Sequence, residues 1–356
     1  MKTWLHPCRS LISIFAACLG LSAAQEELCA QQGSPPSKKS DQWKSLEQSI
    51  SFTEQQLKKS ADDLLWFQVL GDIATVEKIR YTGPPSRIPD NPNPQGNQNE
   101  VIIPAYTFLP RKTHLGKMPL LVIVHTEVHG DFNFREWSRL VRELIQQGYA
   151  VIAPDYRGST GYGRDFWHLI DYGGLEVEDV FRARQWMLDH YSKLDPARVG
   201  ILGWSHGGMI TLLNLFQHPK AFAVGYCGMP VTDLETRIHY RGEDFAALLS
   251  APYHIGKSME EDPTEYRRRS PAWHASQLKT PLLIHGVSND ADVKLVEVEK
   301  MVTALTQAKK EFTYKVYTNA PSGHMFNLLD IRPAEESRRE IYRFIAKYLN
   351  PPAGLP

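Results

Sequence analysis

The sequence predicts an α/β protein in which helices pack on both faces of a mostly parallel β-sheet. The main observation is an alternation of short apolar runs with amphipathic segments, which begins near residue 119 and continues to the end of the chain. Such an alternation is typical of parallel strands joined by helices. The chain has 356 residues, 42% of them hydrophobic, which is enough to bury a large core. Its 40 basic and 40 acidic residues form no basic block, so neither nucleic acid nor a charged membrane surface is predicted as a partner.

Six apolar runs are predicted to be strands, at 119–125, 149–155, 199–204, 222–228, 281–286 and 312–317. Helices are predicted among them, at 134–147, 175–191, 207–217, 293–308 and 333–349. Residues 229–275 break the alternation and are predicted to form an insertion over the carboxyl ends of the strands. Upstream, helical spacing of apolar residues predicts a helix at 41–70, and the strand-like runs 74–81 and 101–110 flank a loop rich in Pro, Asn and Gly at 83–99.

The first 24 residues have the pattern of an export signal. Lys2 and Arg9 flank a polar start, an apolar stretch follows, and Ser22-Ala23-Ala24 fits a cleavage site that would leave Gln25 first. We therefore expect a signal peptide at 1–24 and an exported protein, periplasmic or extracellular. A buried N-terminal helix and a lipid anchor on Cys18 are the alternatives.

Cleavage at this site divides the rest of the chain into a helical extension with a loop, residues 25–100, and an α/β domain, residues 101–350. The apolar stretch is short for a bilayer span, and no transmembrane helix is expected in the mature chain.

Cleavage would leave two cysteines, Cys29 and Cys227. We do not expect them to form a disulfide, because nothing in the sequence indicates that they meet.

The segment GWSHGG, residues 203–208, places a serine between glycines at the junction of a predicted strand and a predicted helix. A turn this sharp needs small flanking residues and lifts the Ser205 hydroxyl above the edge of the sheet. The backbone N–H of His206 is then predicted to face the oxyanion that forms when a carbonyl is attacked. The pattern in this context predicts Ser205 as a nucleophile rather than as a small residue in a turn.

A serine nucleophile needs a base and an orienting carboxylate, which in this topology follow it in the order acid, then His. The loop after 281–286 offers Asp290 and Asp292, and the loop after 312–317 offers His324. Both acids have an alternative role: Asp290 in a turn, and Asp292 as the cap of the helix predicted near Val293. The capping role favours Asp290 as the catalytic acid. His206, His254, His274 and His285 are expected to be structural or to line the pocket.

Two further motifs do not predict cofactors. His125 and His129 have the four-residue spacing of a metal pair, but they follow a strand rather than lie on a helix, and no further ligands accompany them. GSTGYG, residues 158–163, lacks the Lys-Ser/Thr of a phosphate-binding loop. We expect neither a metal nor an organic cofactor.

Four blocks in order, DYRGSTGYG, GWSHGG, SPAWHASQLKTPLLIHG and SGHMF, resemble the catalytic domain of the prolyl oligopeptidase family over about residues 100–350. The resemblance implies an α/β-hydrolase fold, with Ser205 as nucleophile, Asp290 as acid and His324 as base. In that family a second oxyanion donor follows the first long strand, in a His/Tyr-Gly-Gly-Pro run. Here the run is HTEVHG, so His125 aligns while the glycines and the proline are replaced.

The resemblance leaves substrate recognition open. Glu127 is a candidate to bind a substrate amine, with a plain surface position as the alternative, and Trp204, next to the nucleophile, is a second candidate substrate-binding residue. Many members of the family carry an N-terminal β-propeller that selects substrates by size. A blade takes roughly 40–45 residues and a propeller at least about four blades, more than residues 25–100 provide, so we expect a form without it.

The leading hypothesis is thus an exported serine peptidase that cleaves small peptides through an acyl-enzyme. A carboxylesterase that acts on small or sugar acyl esters is a close alternative, because the same three residues serve both reactions. An inactive hydrolase fold that serves as a binding module is the third hypothesis.

Overall fold

The computed structural model describes residues 38–87, 100–112 and 116–354, and within them eight strands form one sheet. Its strand order is β1-β2-β4-β3-β5-β6-β7-β8. The strands are β1 (Ala74–Pro85), β2 (Glu100–Pro110), β3 (Met118–Val124), β4 (Ala150–Pro154), β5 (Leu194–Trp204), β6 (Val224–Gly228), β7 (Leu282–Val287) and β8 (Thr313–Tyr317). β2 pairs antiparallel with both β1 and β4, and every pairing from β4 to β8 is parallel. The six parallel strands therefore end at the same edge of the sheet.

Helices cover both faces of this sheet. They are α1 (Lys38–Leu70), α2 (Phe134–Gln146), α3 (Arg164–Trp167), α4 (Leu175–His190), α5 (His206–Gln217), α6 (Leu234–Arg241), α7 (Glu243–Ser250), α8 (Pro263–Arg268), α9 (Leu295–Gln307) and α10 (Arg332–Leu349). Along β3, Leu120 and Val122 pack with α4, α5 and α9, whereas Leu121 and Ile123 pack with α2 and α10. Alternate residues of a strand point to opposite faces, so both faces of the sheet are buried.

The predicted α/β fold is confirmed, including its six parallel strands and the helices between them. The largest shift at a strand start is in β5, which begins at Leu194 rather than at 199. Helix α9 begins at Leu295 rather than at 293, after an N-cap residue, Lys294, whose side chain does not cap it. The insertion at 229–275 contains α6, α7 and α8.

The chain divides into two compact units, Met1–Ser51 and Phe52–Pro356. Within the second unit, Trp66 and Leu70 of α1 and Val76 of β1 are buried in the same core as α2 and α10. The unit that contains the sheet thus begins well before residue 101, where the sequence predicts the α/β domain to begin.

Several predictions concern residues outside the described ranges: the signal peptide at 1–24, the lipid anchor on Cys18, Cys29, and residues 88–99 of the predicted loop. Cys227 is described, and it is buried with a free thiol. Among the described residues, no helix has both the length and the apolar character that a bilayer crossing requires.

Lys59 of α1 holds together the two loops that follow β3 and β4. Its ammonium lies 2.9 Å from Asp131 and 2.7 Å from Asp155 and donates to the carbonyl oxygen of Phe132 at 3.2 Å. Asp155 also accepts a hydrogen bond of 2.6 Å from the Phe132 N–H. Burial by itself would raise the pKa of Asp155, but the neighbouring Lys59 ammonium lowers it below the ordinary value. Lys59 therefore compensates two carboxylates, one of which is fully buried.

Lys59→Met should lower the free energy of unfolding by about 3–5 kcal/mol, because it leaves the buried carboxylates without their cation. The measurement is equilibrium urea unfolding at pH 7, with exposed Lys58→Met as the control on the same helix. Without Lys59, burial would raise the Asp155 pKa above its unfolded value, so the carboxylate would take up a proton at mildly acidic pH. The difference from wild type should therefore shrink as the pH falls from 7 toward 5. A loss at pH 7 no larger than that of the control would contradict this role.

Candidate active site

The residues that the sequence predicts for catalysis lie where parallel strands end. Ser205 follows β5 directly, Asp290 lies in the loop after β7, and His324 follows β8 in a short 3₁₀ helix, Gly323–Leu328. Because β5, β6, β7 and β8 are neighbours in the sheet, these loops emerge side by side.

The turn at Ser205 has the strained geometry of a nucleophile elbow. Ser205 has φ 53° and ψ −120°, although it is not a glycine. A Cβ on Gly203 would lie 2.1 Å from the carbonyl oxygen of Gly207, and one on Gly207 would lie 2.3 Å from the carbonyl oxygen of His125. The chain can only make this turn with glycine at both positions, because backbone atoms occupy the space that a side chain would need.

The structure brings His324 and Asp290 together. The Nδ1 atom of His324 lies 2.6 Å from Oδ2 of Asp290. The other oxygen, Oδ1, accepts the backbone N–H groups of Asp292 and Val293, both at 2.9 Å. The interpretation of Asp292 as a helix cap is therefore wrong: Asp290 accepts these N–H groups itself, and α9 begins later. Asp290 is held on both oxygens and can orient an imidazole.

Ser205 is not hydrogen-bonded to His324 among the described residues. The Nε2 atom of His324 lies instead 3.5 Å from Oδ2 of Asp292. Asp290 and Asp292 thus flank the imidazole, one on each ring nitrogen. A proton transfer from Ser205 requires its hydroxyl and Nε2 of His324 to come within hydrogen-bonding distance.

Of the two predicted oxyanion donors, the His206 N–H is engaged, whereas Nδ1 of His125 has no hydrogen-bond partner among the described residues. The backbone N–H of His206 donates to the carbonyl oxygen of Thr126 at 3.1 Å. The His125 ring is buried, lies 2.9 Å from the Ser159 hydroxyl through Nε2, and stacks on Tyr156 with ring centroids 4.1 Å apart. The His206 N–H is free to bind an oxyanion only if the Thr126 carbonyl moves.

The two candidate substrate-binding residues lie in different surroundings. The side chain of Glu127 is exposed, and its carbonyl oxygen accepts the hydroxyl of Tyr156 at 2.6 Å. Trp204, in contrast, is buried, and its ring packs 5.2 Å from Trp137 and 5.0 Å from Tyr226. The substrate role predicted for Trp204 does not fit this position, because residues along β5 alternate between faces and the indole points into the core.

A cluster of buried histidines lines the side of the site next to Ser205. The imidazole of His206 lies 3.3 Å from Glu176, and the ring of Tyr172 packs 4.7 Å from His206 and 5.8 Å from His254. Burial would raise the pKa of Glu176, but His206 and backbone N–H groups lower it to about 2. Sequence reasoning expected these histidines to be structural or pocket-lining, but it missed Glu176, which lies on a predicted helix with no motif around it.

Burial keeps the other histidines of this region uncharged. It lowers the pKa of His125 and His254 to about 3 and that of His129 to about 4. Neither ring nitrogen of His254 has a hydrogen-bond partner among the described residues. Within the same residues, no three His, Cys, Asp or Glu side chains are grouped so that they could hold a metal ion.

Comparisons with known proteins agree with the fold and with the family that the sequence resembles. The model of the prolyl oligopeptidase family matches residues 135–352. The dipeptidyl aminopeptidase BIII of Pseudoxanthomonas mexicana is 29% identical over 258 residues, which are 67% of this chain and 36% of that protein. The acylamino-acid-releasing enzyme of Arabidopsis thaliana is 28% identical over 210 residues, which are 56% of this chain and 27% of that protein. The chain thus spans about a third of the length of these relatives.

Solved structures support the α/β-hydrolase fold. A puromycin-hydrolyzing peptidase of Mycobacterium tuberculosis superposes with a TM-score of 0.64 at 24% identity, over 79% of this chain and 40% of that one. An acylaminoacyl peptidase in complex with Z-Gly-Gly-Phe-chloromethyl ketone gives 0.63 at 18% identity, over 79% and 43%. Similarity at these identities concerns the fold.

Gly207→Ala should lower the free energy of unfolding by about 1–3 kcal/mol, because a Cβ at this position meets backbone atoms that cannot move independently. Urea unfolding measures the change. Gly354→Ala, at a glycine with open space around it, is the matched control and should behave as wild type. Equal stability of the two variants would show that the elbow tolerates a side chain.

Stability should also fall as the pH falls from about 7 to 5. The buried histidines have folded-state pKa values below the ordinary unfolded value of about 6.5, so the unfolded chain binds more protons in this range. His254→Phe removes one such group and should reduce the loss by about 2 kcal/mol. Urea unfolding at both pH values measures it, with His190→Phe, at an exposed position, as the control. An unchanged pH dependence in His254→Phe would contradict the assignment.

Proposed function

Because the chain belongs to the prolyl oligopeptidase family, we propose that it is a serine peptidase that cleaves small peptides through an acyl-enzyme. The observation that carries this proposal is the hydrogen bond of 2.6 Å between His324 and Asp290, at the strand edge where the elbow presents Ser205. The similar proteins named above are a dipeptidyl aminopeptidase and an acylamino-acid-releasing enzyme, which supports a peptidase reaction.

In the proposed reaction the Ser205 hydroxyl attacks the substrate carbonyl while His324 accepts its proton at Nε2. Asp290 holds Nδ1 and stabilises the imidazolium that forms. The proton then passes to the leaving amine, the C–N bond breaks, and the acyl group remains on Ser205 as an ester. Water, activated by the same imidazole, hydrolyses the ester and restores the serine.

Two local movements must precede this chemistry. The His324 imidazole has to turn from Asp292 toward Ser205, and the Thr126 carbonyl has to release the His206 N–H so that it can stabilise the oxyanion. Catalytic hydrogen bonds are often long or misaligned before substrate binds. We propose that substrate binding drives both movements.

The contact of His324 with Asp292 and that of the His206 N–H with Thr126 also fit the alternative, an inactive hydrolase fold used for binding. A binding module retains the fold but never aligns Ser205 with His324. A carboxylesterase uses the same residues and differs in the leaving group, since an ester needs less protonation of the departing oxygen. Activity measurements distinguish the three functions.

We further propose that the protein is exported, to the periplasm or beyond the cell. This proposal is supported by the charge pattern, apolar stretch and small residues of positions 1–24. Amino-terminal sequencing of the protein recovered from outside the cytoplasm would test it, with Gln25 as the expected first residue.

Serine-dependent hydrolysis is the first activity to measure. A matched pair of chromogenic substrates, an amide and an ester of the same aminoacyl group, should both be cleaved by wild type. Ser205→Ala should lower kcat by about 10⁴-fold or more, whereas Ser276→Ala, at an exposed serine, should not. Cleavage of the ester alone would favour the esterase, and no activity above Ser205→Ala on any substrate would favour the binding module.

The two aspartates should differ in their effect on kcat. Asp290→Asn should lower kcat by about 10³–10⁴-fold, because an amide at this position favours the wrong imidazole tautomer. Asp292→Asn should change kcat by less than about tenfold, because in the proposed reaction Asp292 has released the imidazole before the proton is transferred. The reverse order would assign the catalytic acid to Asp292.

A further inference from the structure

Two arginines of helix α6 reach the catalytic base through Asp292. Nη2 of Arg237 lies 3.4 Å and Nη1 of Arg241 lies 2.9 Å from Oδ1 of Asp292. The other oxygen of the same carboxylate is the one that lies 3.5 Å from His324. The side chain of Asp292 therefore connects both guanidinium groups to the candidate base.

Helix α6 is also anchored to the candidate nucleophile. The N–H of Val231, three residues before α6 begins, donates to the carbonyl oxygen of Ser205 at 3.1 Å. On the same side, the Tyr172 ring lies 4.7 Å from His206 and 6.3 Å from Phe245. Tyr172 is thus a neighbour of His206, the residue after Ser205, and Asp292 is a neighbour of His324.

The two guanidinium groups lie against the same aromatic ring, that of Phe245. The Arg237 guanidinium lies 5.3 Å, and the Arg241 guanidinium 5.4 Å, from the centroid of the Phe245 ring. A cation held against an aromatic face keeps its edge available for hydrogen bonds. Two such edges, which already share the Asp292 carboxylate, have the donors that a carboxylate needs.

Arg237 has one donor without an acceptor. It is only 4% exposed, and its Nη1 donates to Tyr240 at 2.8 Å and lies 3.3 Å from Glu297. Its Nε has no hydrogen-bond acceptor among the described residues. A buried charged donor left without an acceptor is costly, so the Arg237 guanidinium is not fully compensated by its present partners. Burial lowers the pKa of Arg237, but nearby Tyr172 and Glu297 raise it above its ordinary value, so the group stays charged.

The two carboxylates already present differ in availability. Glu297 is fully buried, and it accepts the Thr232 N–H at 2.8 Å and the Tyr240 hydroxyl at 2.5 Å, so it serves as the fixed counter-charge. The side chain of Asp292 is 39% exposed and lies 3.5 Å from His324. Asp292 is therefore the carboxylate that an external one could replace.

We propose that Arg237 and Arg241 bind the acidic side chain of the residue whose carbonyl Ser205 attacks, so that the enzyme cleaves after glutamate or aspartate. The substrate carboxylate accepts from Nη2 of Arg237 and Nη1 of Arg241, the two groups that Asp292 contacts, and it displaces Asp292 from both. This displacement also removes Asp292 from His324, which frees the imidazole for Ser205. The inference rests on the proposed peptidase function.

The test compares two amide substrates that differ only in Glu or Gln before the cleaved bond. For wild type, kcat/KM should favour Glu by about tenfold or more, as expected for hydrogen bonds to charged groups. Arg241→Gln should lower this ratio toward one, whereas Asp292→Asn should raise it, because the internal competitor loses its charge. Arg267→Gln, at an exposed arginine in the same insertion, is the control and should keep the wild-type ratio.

Binding without chemistry separates this inference from the proposed function. On Ser205→Ala, isothermal titration should give a lower Kd for a dipeptide that ends in Glu than for the same dipeptide ending in Gln, and the difference should vanish when Arg241→Gln is added. That result supports the site even if no substrate is cleaved. Equal affinities, or equal kcat/KM values in wild type, overturn the inference while leaving a peptidase of other specificity possible. Thermal unfolding of each variant confirms that it is folded.

Discussion

The turn at Ser205 is the constraint on which the rest of the site depends. The β5 strand, the α5 helix and the end of β3 approach so closely there that the carbonyl oxygens of Gly207 and His125 fill the space of the missing side chains. This closeness forces a positive φ on Ser205, raises its hydroxyl above the sheet edge, and brings the Thr126 carbonyl within reach of the His206 N–H. The strain is held because the flanking strands are buried on both faces and cannot relax.

The loop that carries Thr126 is held from its other end by Lys59. Its ion pairs with Asp131 and Asp155 join helix α1 to the loops after β3 and β4, and Gly130 accepts a hydrogen bond from Thr160 in the second of these loops. A movement of Thr126 away from His206 is therefore confined to the few residues between β3 and Gly130. Residues 52–70, which the sequence assigns to an extension, take part in shaping the site.

The sequence was informative wherever a local pattern has one structural meaning. Alternating apolar runs predicted the parallel strands, and GWSHGG predicted the elbow, because only glycine fits beside such a turn. The contact between His324 and Asp290 followed from chain order, but the reason for preferring Asp290 was wrong, since the cap assigned to Asp292 does not exist. Contacts between distant positions, such as Glu176 with His206 or Arg237 with Asp292, have no local pattern. Trp204 was misplaced because adjacency in sequence to Ser205 does not show which face a side chain takes.

The charge near Ser205 and His324 comes from few groups, because burial removes the others. With pKa values of about 3, His125 and His254 are neutral at physiological pH, whereas Arg237 and Arg241 both contact Asp292. Glu297 lies 3.3 Å from Arg237, and Asp292 is shared by both arginines and His324. In the proposed recognition of an acidic side chain, a carboxylate that binds the arginines changes both the charge around Asp292 and the partner of the imidazole. Recognition of the substrate and alignment of the base would in this way be one event, since both would depend on where Asp292 lies.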